Sequence, residues 1–154
     1  MSALSRVCQA CGLCCSGAFL SHVQLRSGEP ERLASLGVAV KKRKTGLPVL
    51  ALGCSALKGT CCSIYEQRPR GCALYICAIG QKLEDGSMSE AEAMQLVDQA
   101  KALINAVEQH LPPSSEVDLR GVMHRARTEG LLSGPQPLRD AEDFLVKHFH
   151  KPQL

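Results

Sequence analysis

Tryptophan is missing altogether, and only two tyrosines and three phenylalanines are present. Few rings are therefore on hand to stack on bases, which makes a nucleic-acid partner a poor expectation, and the core must be built from Leu, Val, Ile and Ala. No run approaches the ~18 consecutive apolar residues of a membrane span. No early apolar stretch is long enough for a secretory leader, so a reducing cytoplasm is the expected location and no membrane partner is expected. Walker loops, G-x-G-x-x-G, nucleophile elbows and H-x-x-x-H pairs do not occur, which leaves ordinary nucleotide, dinucleotide and hydrolase chemistry without support. The last gap is positional: there is no cysteine after residue 77.

All nine cysteines are thus confined to the first half. Four of them form one C-x2-C-x2-C-C run, Cys8-Gln9-Ala10-Cys11-Gly12-Leu13-Cys14-Cys15. Two thiolates two residues apart on a tight turn can grip one metal ion, and Gly12 supplies backbone that such a turn can use. The others are Cys54, Cys61, Cys62, Cys72 and Cys77. An odd number cannot pair off completely, and in a reducing compartment such a cluster reads as metal ligands before disulfides.

Cys14 and Cys15 are neighbours whose side chains point in different directions. Cys72 and Cys77, if on one helix, stand about 140° apart. Both pairs therefore suggest two ligand sets, each drawing on both cysteine stretches, and eight sulfurs suffice for two closed tetrahedral sites. Zinc and an iron–sulfur cluster both fit four thiolates. A closed zinc site would be structural, whereas a filled cluster would carry electrons.

Charge is segregated as well. Residues 1–80 hold ten Lys and Arg against three Asp and Glu, a surplus of seven, whereas residues 81–154 hold eight against twelve. Four thiolates outweigh one divalent ion, so nearby Arg6, Lys58, Arg68 and Arg70 are expected to offset a negative site.

The expected organisation is α+β, a small cysteine-rich metal-bound region with short strands (residues 1–80) and a helical region of about three helices packed on it (residues 81–154). Residues 6–17 read as a metal-binding loop, 19–25 as a strand, and 29–36 as a helix closed by Gly37. Residues 38–44 and 47–52 flank a Thr45-Gly46 turn, and 53–63 read as a second cysteine loop. Pro69 suits a helix start. Ser89-Glu90-Ala91-Glu92 is a capping-box pattern, followed by Ala93, Val97, Ala100, Ile104, Val107 and Leu111 on one helical face. A second helix is expected over 115–130, with Leu119, Val122, Met123 and Ala126 inward. A break follows at Gly134-Pro135-Gln136-Pro137, then a third helix marked by Ala141, Phe144, Leu145 and Phe149.

Taken together, the C-x2-C-G-x-C-C opening, Cys54, the stretch Cys62-Ser63-Ile64-Tyr65-Glu66-Gln67-Arg68-Pro69-x2-Cys72, and Cys77 resemble the YkgJ-like CxxCxxCC family. That family is a zinc- or iron-chelating domain also found in flagellin lysine-N-methylase. The resemblance covers about residues 8–77 and implies eight metal-ligating cysteines: Cys8, Cys11, Cys14, Cys15, Cys54, Cys62, Cys72 and Cys77. Cys61 has no counterpart, so either Cys61 or Cys62 serves at that position, and Ala73 stands where the family often has Arg. The implied function is a small cytoplasmic metal-binding protein that chelates zinc or an iron–sulfur cluster, with no enzymatic activity required. The alternatives are an iron–sulfur redox or protein-modifying enzyme and a zinc-stabilised adaptor whose C-terminal helices contact another protein.

Overall fold

A computed structural model describes residues 1–113, 121–128 and 136–151. Its elements run α1 (Ala3–Cys11), β1 (His22–Gln24), α2 (Glu29–Ser35), β2 (Lys41–Lys42), β3 (Pro48–Ala51), β4 (Leu57–Lys58), β5 (Cys61–Cys62), α3 (Arg70–Leu74), α4 (Ala78–Glu84), α5 (Glu90–Glu108), α6 (Val122–Thr128) and α7 (Gln136–His148). The class is α+β, with short antiparallel strands interspersed with α1 and α2 up to Cys62 and helices alone after it.

The first departure from the sequence reading is α1. The expected loop over 6–17 is helical up to Cys11: Ser2 caps it by accepting from the Ser5 N–H, and Gly12 ends it at φ 68°. A residue with a side chain is strained at that angle, and a Cβ on Gly12 would also stand 2.9 Å from the Thr60 carbonyl oxygen. The first cysteine run and the second cysteine stretch meet there. That second stretch is not a plain loop either: β4 and β5 form a hairpin pairing Leu57 with Cys62 and Lys58 with Cys61.

The other sheet has the order β1-β3-β2, all antiparallel, with His22 opposite Ala51 and Lys42 opposite Pro48. The β2–β3 hairpin turns at Thr45-Gly46 as expected, closed by the Arg43 N–H donating to the Leu47 carbonyl at 2.9 Å. Lys41, Lys42, Arg43 and Lys44 are all exposed, and lysines on an edge strand discourage further pairing.

α5 carries the full capping box between Ser89 and Glu92 and buries Ala93, Val97, Ala100 and Val107, with Ile104 and Leu111 partly covered. α6 buries Met123 and Ala126; the rest of the expected 115–130 helix, including Leu119, lies outside the described residues. α7 begins at Gln136, so Pro137 stands in its first turn and not in a break, where its missing N–H costs nothing. Gly134 and Pro135 lie outside the described residues. Ala141, Leu145 and Phe149 are buried and Phe144 partly so. α4 has no counterpart in the sequence reading.

Two apolar clusters result. The larger joins Val7, Leu13, Ala18 and Ile79 from the first half to Val97, Met123, Leu138, Leu145 and Phe149 from the helices. The smaller gathers Leu25, Leu33, Val38, Leu50 and Ala56 around the sheet. Each fully buried Leu, Val or Phe contributes roughly 1.5–3 kcal/mol, so the larger cluster binds the helices firmly to the cysteine run. Polar ties add direction. Arg127 donates to the Ala18 carbonyl and to Glu142, each at 2.7 Å. A Cβ on Gly121 would overlap the Ser16 carbonyl oxygen, so α6 starts directly against the backbone that follows Cys15.

Candidate metal centre

One cavity of about 100 Å³ is lined by Cys8, Cys11, Cys14, Cys15, Cys54, Cys62, Cys72 and Cys77. Cys61 is not among the lining residues; it is exposed, and its thiol donates to the Gln9 side-chain oxygen at 2.8 Å. All nine cysteines are free thiols.

The elements explain the convergence. Cys8 and Cys11 lie three apart on α1 and so share a face. The chain then turns at Gly12, carrying Cys14 and Cys15 into a tight turn held by the Ser16 N–H on the Gly12 carbonyl at 2.9 Å. Cys54 precedes the β4–β5 hairpin and is joined to the first run by its own N–H on the Cys15 carbonyl at 2.8 Å. Cys62 is on β5 and Cys72 on α3. α3 ends at Leu74, before Cys77, which instead caps α4; its sulfur accepts the Gly80 N–H at 3.4 Å. Cys72 and Cys77 are thus on different helices, and the single-helix geometry considered from sequence does not apply. The Cys54 sulfur likewise accepts the Ala56 N–H at 3.4 Å. Backbone donors of this kind favour sulfur in its charged form.

The eight sulfurs divide into two sets by what surrounds them. Cys11 and Cys77 pack on the larger apolar cluster, whereas Cys54, Cys62 and Cys72 pack on the smaller. Electrostatics gives the same division. Cys77 and Cys8 are the like-charged neighbours of Cys11, and Cys77, Cys11 and Cys8 are the leading ones of Cys14. Cys15 instead feels first Cys62, Cys54 and Cys72, and Cys72 feels Cys54 and Cys62. The leading interactions thus group Cys8, Cys11, Cys14 and Cys77 on one side and Cys15, Cys54, Cys62 and Cys72 on the other, with weaker ones crossing from Cys15 to Cys14 and from Cys8 to Cys15. The two sets adjoin at the Cys14–Cys15 peptide.

Burial, reinforced by this mutual repulsion, pushes the Cys11, Cys15 and Cys72 thiols up to about 12 and Cys14 well above its ordinary range. Without a cation these four sulfurs stay protonated at neutral pH. Four thiolates gathered in low dielectric need positive charge at their centre or beside them.

Of the four cations expected nearby, two face elsewhere. Arg6 makes a two-pronged pair with Glu90, at 2.9 and 2.7 Å. Arg70 is exposed and does not line the cavity, and its backbone N–H serves Glu29. Lys58 and Arg68 do act on the thiols, on Cys54 and on Cys8 and Cys72 respectively. A cation missed from sequence is Lys101 of α5, which acts on Cys11 while donating to the Ala10 carbonyl at 2.6 Å. Nothing in the sequence marks a lysine so far along the chain.

The donor chemistry fits a soft or borderline metal. Among the described residues no Asp, Glu or His lines the cavity, so oxygen-loving ions such as Mg²⁺ and Ca²⁺ have no ligands in it, whereas zinc and iron–sulfur clusters take thiolate. The thiols converge without closing: among the described residues no three metal-binding side chains already stand as a finished cage. Thiols that carry their protons have no reason to crowd further until an ion draws them in.

A family model described as "Putative zinc- or iron-chelating domain", CxxCxxCC, matches residues 7–95, more than half of the chain. The chain belongs to the CxxCxxCC family. The matched span contains every cysteine and runs into α5, whereas Leu4, Val97 and Phe149, which also line the cavity, lie outside it. No curated protein and no solved structure matches this CxxCxxCC chain. Among the described residues no helix is long and apolar enough to cross a membrane.

Proposed function

We propose that this protein binds two metal centres side by side, one in Cys8, Cys11, Cys14 and Cys77 and one in Cys15, Cys54, Cys62 and Cys72, and that loading them orders the first half of the fold. The observation that carries this reading is the gathering of eight thiols, and no carboxylate or imidazole among the described residues, around one cavity. Four thiolates per centre leave no open coordination position, so zinc there would be structural and an iron–sulfur cluster would serve electron transfer. Such centres belong in a reducing compartment, and we place the protein in the cytoplasm on that ground. Residues 1–80 and 81–154 act as one folding unit in this view, because the larger apolar cluster draws on both. The adaptor reading has less support, since the inward faces of α5, α6 and α7 are already used on that cluster.

The test is elemental analysis of protein isolated without oxygen, for the parent, Cys14→Ser and Cys15→Ser. A colourless parent with two zinc ions, or a brown one absorbing broadly near about 400 nm, supports the reading and names the metal. Each serine variant should lose one centre and keep the other. A reduced, natively folded parent carrying no metal would refute it.

A further inference from the structure

Arg68 is the cation whose placement the fold does not otherwise explain. It is half-buried at the cavity, yet among the described residues it has no carboxylate partner and makes no hydrogen bond. Arg127, of comparable cover, is satisfied by Glu142 and the Ala18 carbonyl, and even exposed Arg32 is paired with Glu29 and the Gln67 carbonyl. Arg68 instead lays its guanidinium over the Tyr65 ring, 3.8 Å from the centroid. Its backbone is held as tightly. A short turn of 3-10 helix, Tyr65–Gln67, precedes it, and fully buried Pro69 follows, keeping Arg68 extended at φ −62°, ψ 153°. A guanidinium kept half-dry on a ring, with no anion, is costly unless an anion arrives.

We infer that Arg68, steered by Tyr65, is the shared counter-cation of the two cysteine sets, placed in advance to offset the negative charge that both acquire when they take up metal. The inference rests on the two-centre reading. Two features support it. Arg68 and Tyr65 both line the cavity that holds all eight sulfurs. Arg68 shares that lining with Cys8 of one set and Cys72 of the other, whereas Lys58 and Lys101 are not among the lining residues. A tetrathiolate around a divalent ion carries two net negative charges, so two adjoining centres repel each other, and a cation between them weakens that repulsion. Arg68 would not be a ligand. It is a positioning residue that sets how tightly, and how independently, the two centres fill.

The experiment is a zinc titration of the full-length reduced protein against a chromophoric chelator, in low and high salt, for the parent, Arg68→Gln, Arg68→Lys, Tyr65→Phe and Tyr65→Leu. Arg68→Gln should weaken both binding steps by about 10–100-fold, the range for outer-shell partners of a metal site. The second step should lose more than the first, because mutual repulsion is then unshielded. Arg68→Lys should recover most of the loss. Tyr65→Phe keeps the ring and should be silent; Tyr65→Leu releases the guanidinium without removing its charge and should cost several-fold. Tyr65→Leu also serves if Arg68→Gln fails to fold. Parent-like binding by Arg68→Gln, a loss confined to one step, or no recovery in Arg68→Lys each overturns the inference while leaving the two centres standing. A parent that takes up no zinc removes both.

Discussion

Glu29 offers a test of the fold around the second cysteine set that needs no metal analysis. Its carboxylate is 8% exposed and bridges two elements: one oxygen accepts the Arg26 N–H and the other the Arg70 N–H, both at 2.8 Å. Arg70 opens α3, the helix that carries Cys72, so Glu29 fastens the start of α2 to the segment that presents that sulfur. In Glu29→Gln one side-chain oxygen remains to accept, while the amide nitrogen faces a donor and leaves it unpaired. Hydrogen bonds to a charged group contribute about 1.5–3 kcal/mol, and a buried orphaned donor costs about 1–3 kcal/mol. The variant should therefore lose about 2–4 kcal/mol at neutral pH. For a chain of this length that corresponds to a fall in melting temperature of about 5–15 °C, followed by circular dichroism. The pH dependence adds a sign. Burial alone would raise the Glu29 carboxyl, but the Arg26 and Arg70 N–H groups and the Arg32 charge hold it below its ordinary value. A depressed carboxylate contributes stability that is fully present above its unfolded value, about 4.3, and is lost as the pH falls through the folded value. The gap between parent and Glu29→Gln should be constant from neutral pH down to about 5 and shrink below that. A variant as stable as the parent at pH 7, or a gap that widens in acid, refutes the bridging role.

The remaining predictions concern the site more directly. Gly71→Ala places a Cβ 2.5 Å from Val23 Cγ1, a stiff β-branched neighbour, so chemical denaturation should report a loss of about 1–3 kcal/mol from overpacking. Cys61→Ser removes only an exposed thiol and its contact with Gln9; stability should stay within about 0.5 kcal/mol and metal content should not change. Loading should release protons at neutral pH, at least two for each centre, because burial keeps Cys11 and Cys14 of one set and Cys15 and Cys72 of the other protonated beforehand. A pH indicator in weak buffer reads this, and affinity should fall steeply as the pH is lowered; fewer than about two protons per ion would contradict the ligand sets.

What the sequence disclosed and what it withheld follows the range of each interaction. The α5 capping box is local: Ser89 and Glu92 are three residues apart, and the apolar repeat after them needs no other part of the chain. The β2–β3 hairpin is local in the same way. α1 escaped notice because its inward face is partly made of cysteine. Leu4, Val7 and Cys11 recur at three and four, and Cys11 packs on the core as an apolar group would, but a cysteine in a C-x2-C run is read first as a ligand on a turn. α4 is only a turn or two long and starts on Cys77, which gives no usual capping signal. Neighbouring Cys14 and Cys15 made two sets expected, yet which distant sulfurs join each set depends on interactions across 39 or more residues of chain, as between Cys15 and Cys54 or Cys62. Arg6 shows the same limit. It is two residues from Cys8 in sequence, but its partner is Glu90, 84 positions away.

That pairing also bears on the charge asymmetry. The basic surplus of the first half looks, from composition, like one reservoir of charge for a negative site. In the fold it is divided. Arg6 is spent on α5, Arg32 on Glu29, and Lys41, Lys42, Arg43 and Lys44 project from an edge strand into solvent. Charges well apart in water are screened within about 10 Å at ordinary salt, so those residues do little for buried sulfur. Among the described residues three cations act on Cys8, Cys11, Cys54 and Cys72, unevenly: Lys101 on the first set, Lys58 on the second, and Arg68 on both. Compensation is therefore local and nearly matched to the number of sulfur sets, not to the net charge of the half-chain. The helical half supplies one of the three, and it also supplies most of the apolar cluster behind Cys11 and Cys77. The first set thus depends on residues from both ends of the chain. The second stands on the smaller cluster around the sheet, with residues from the first half alone.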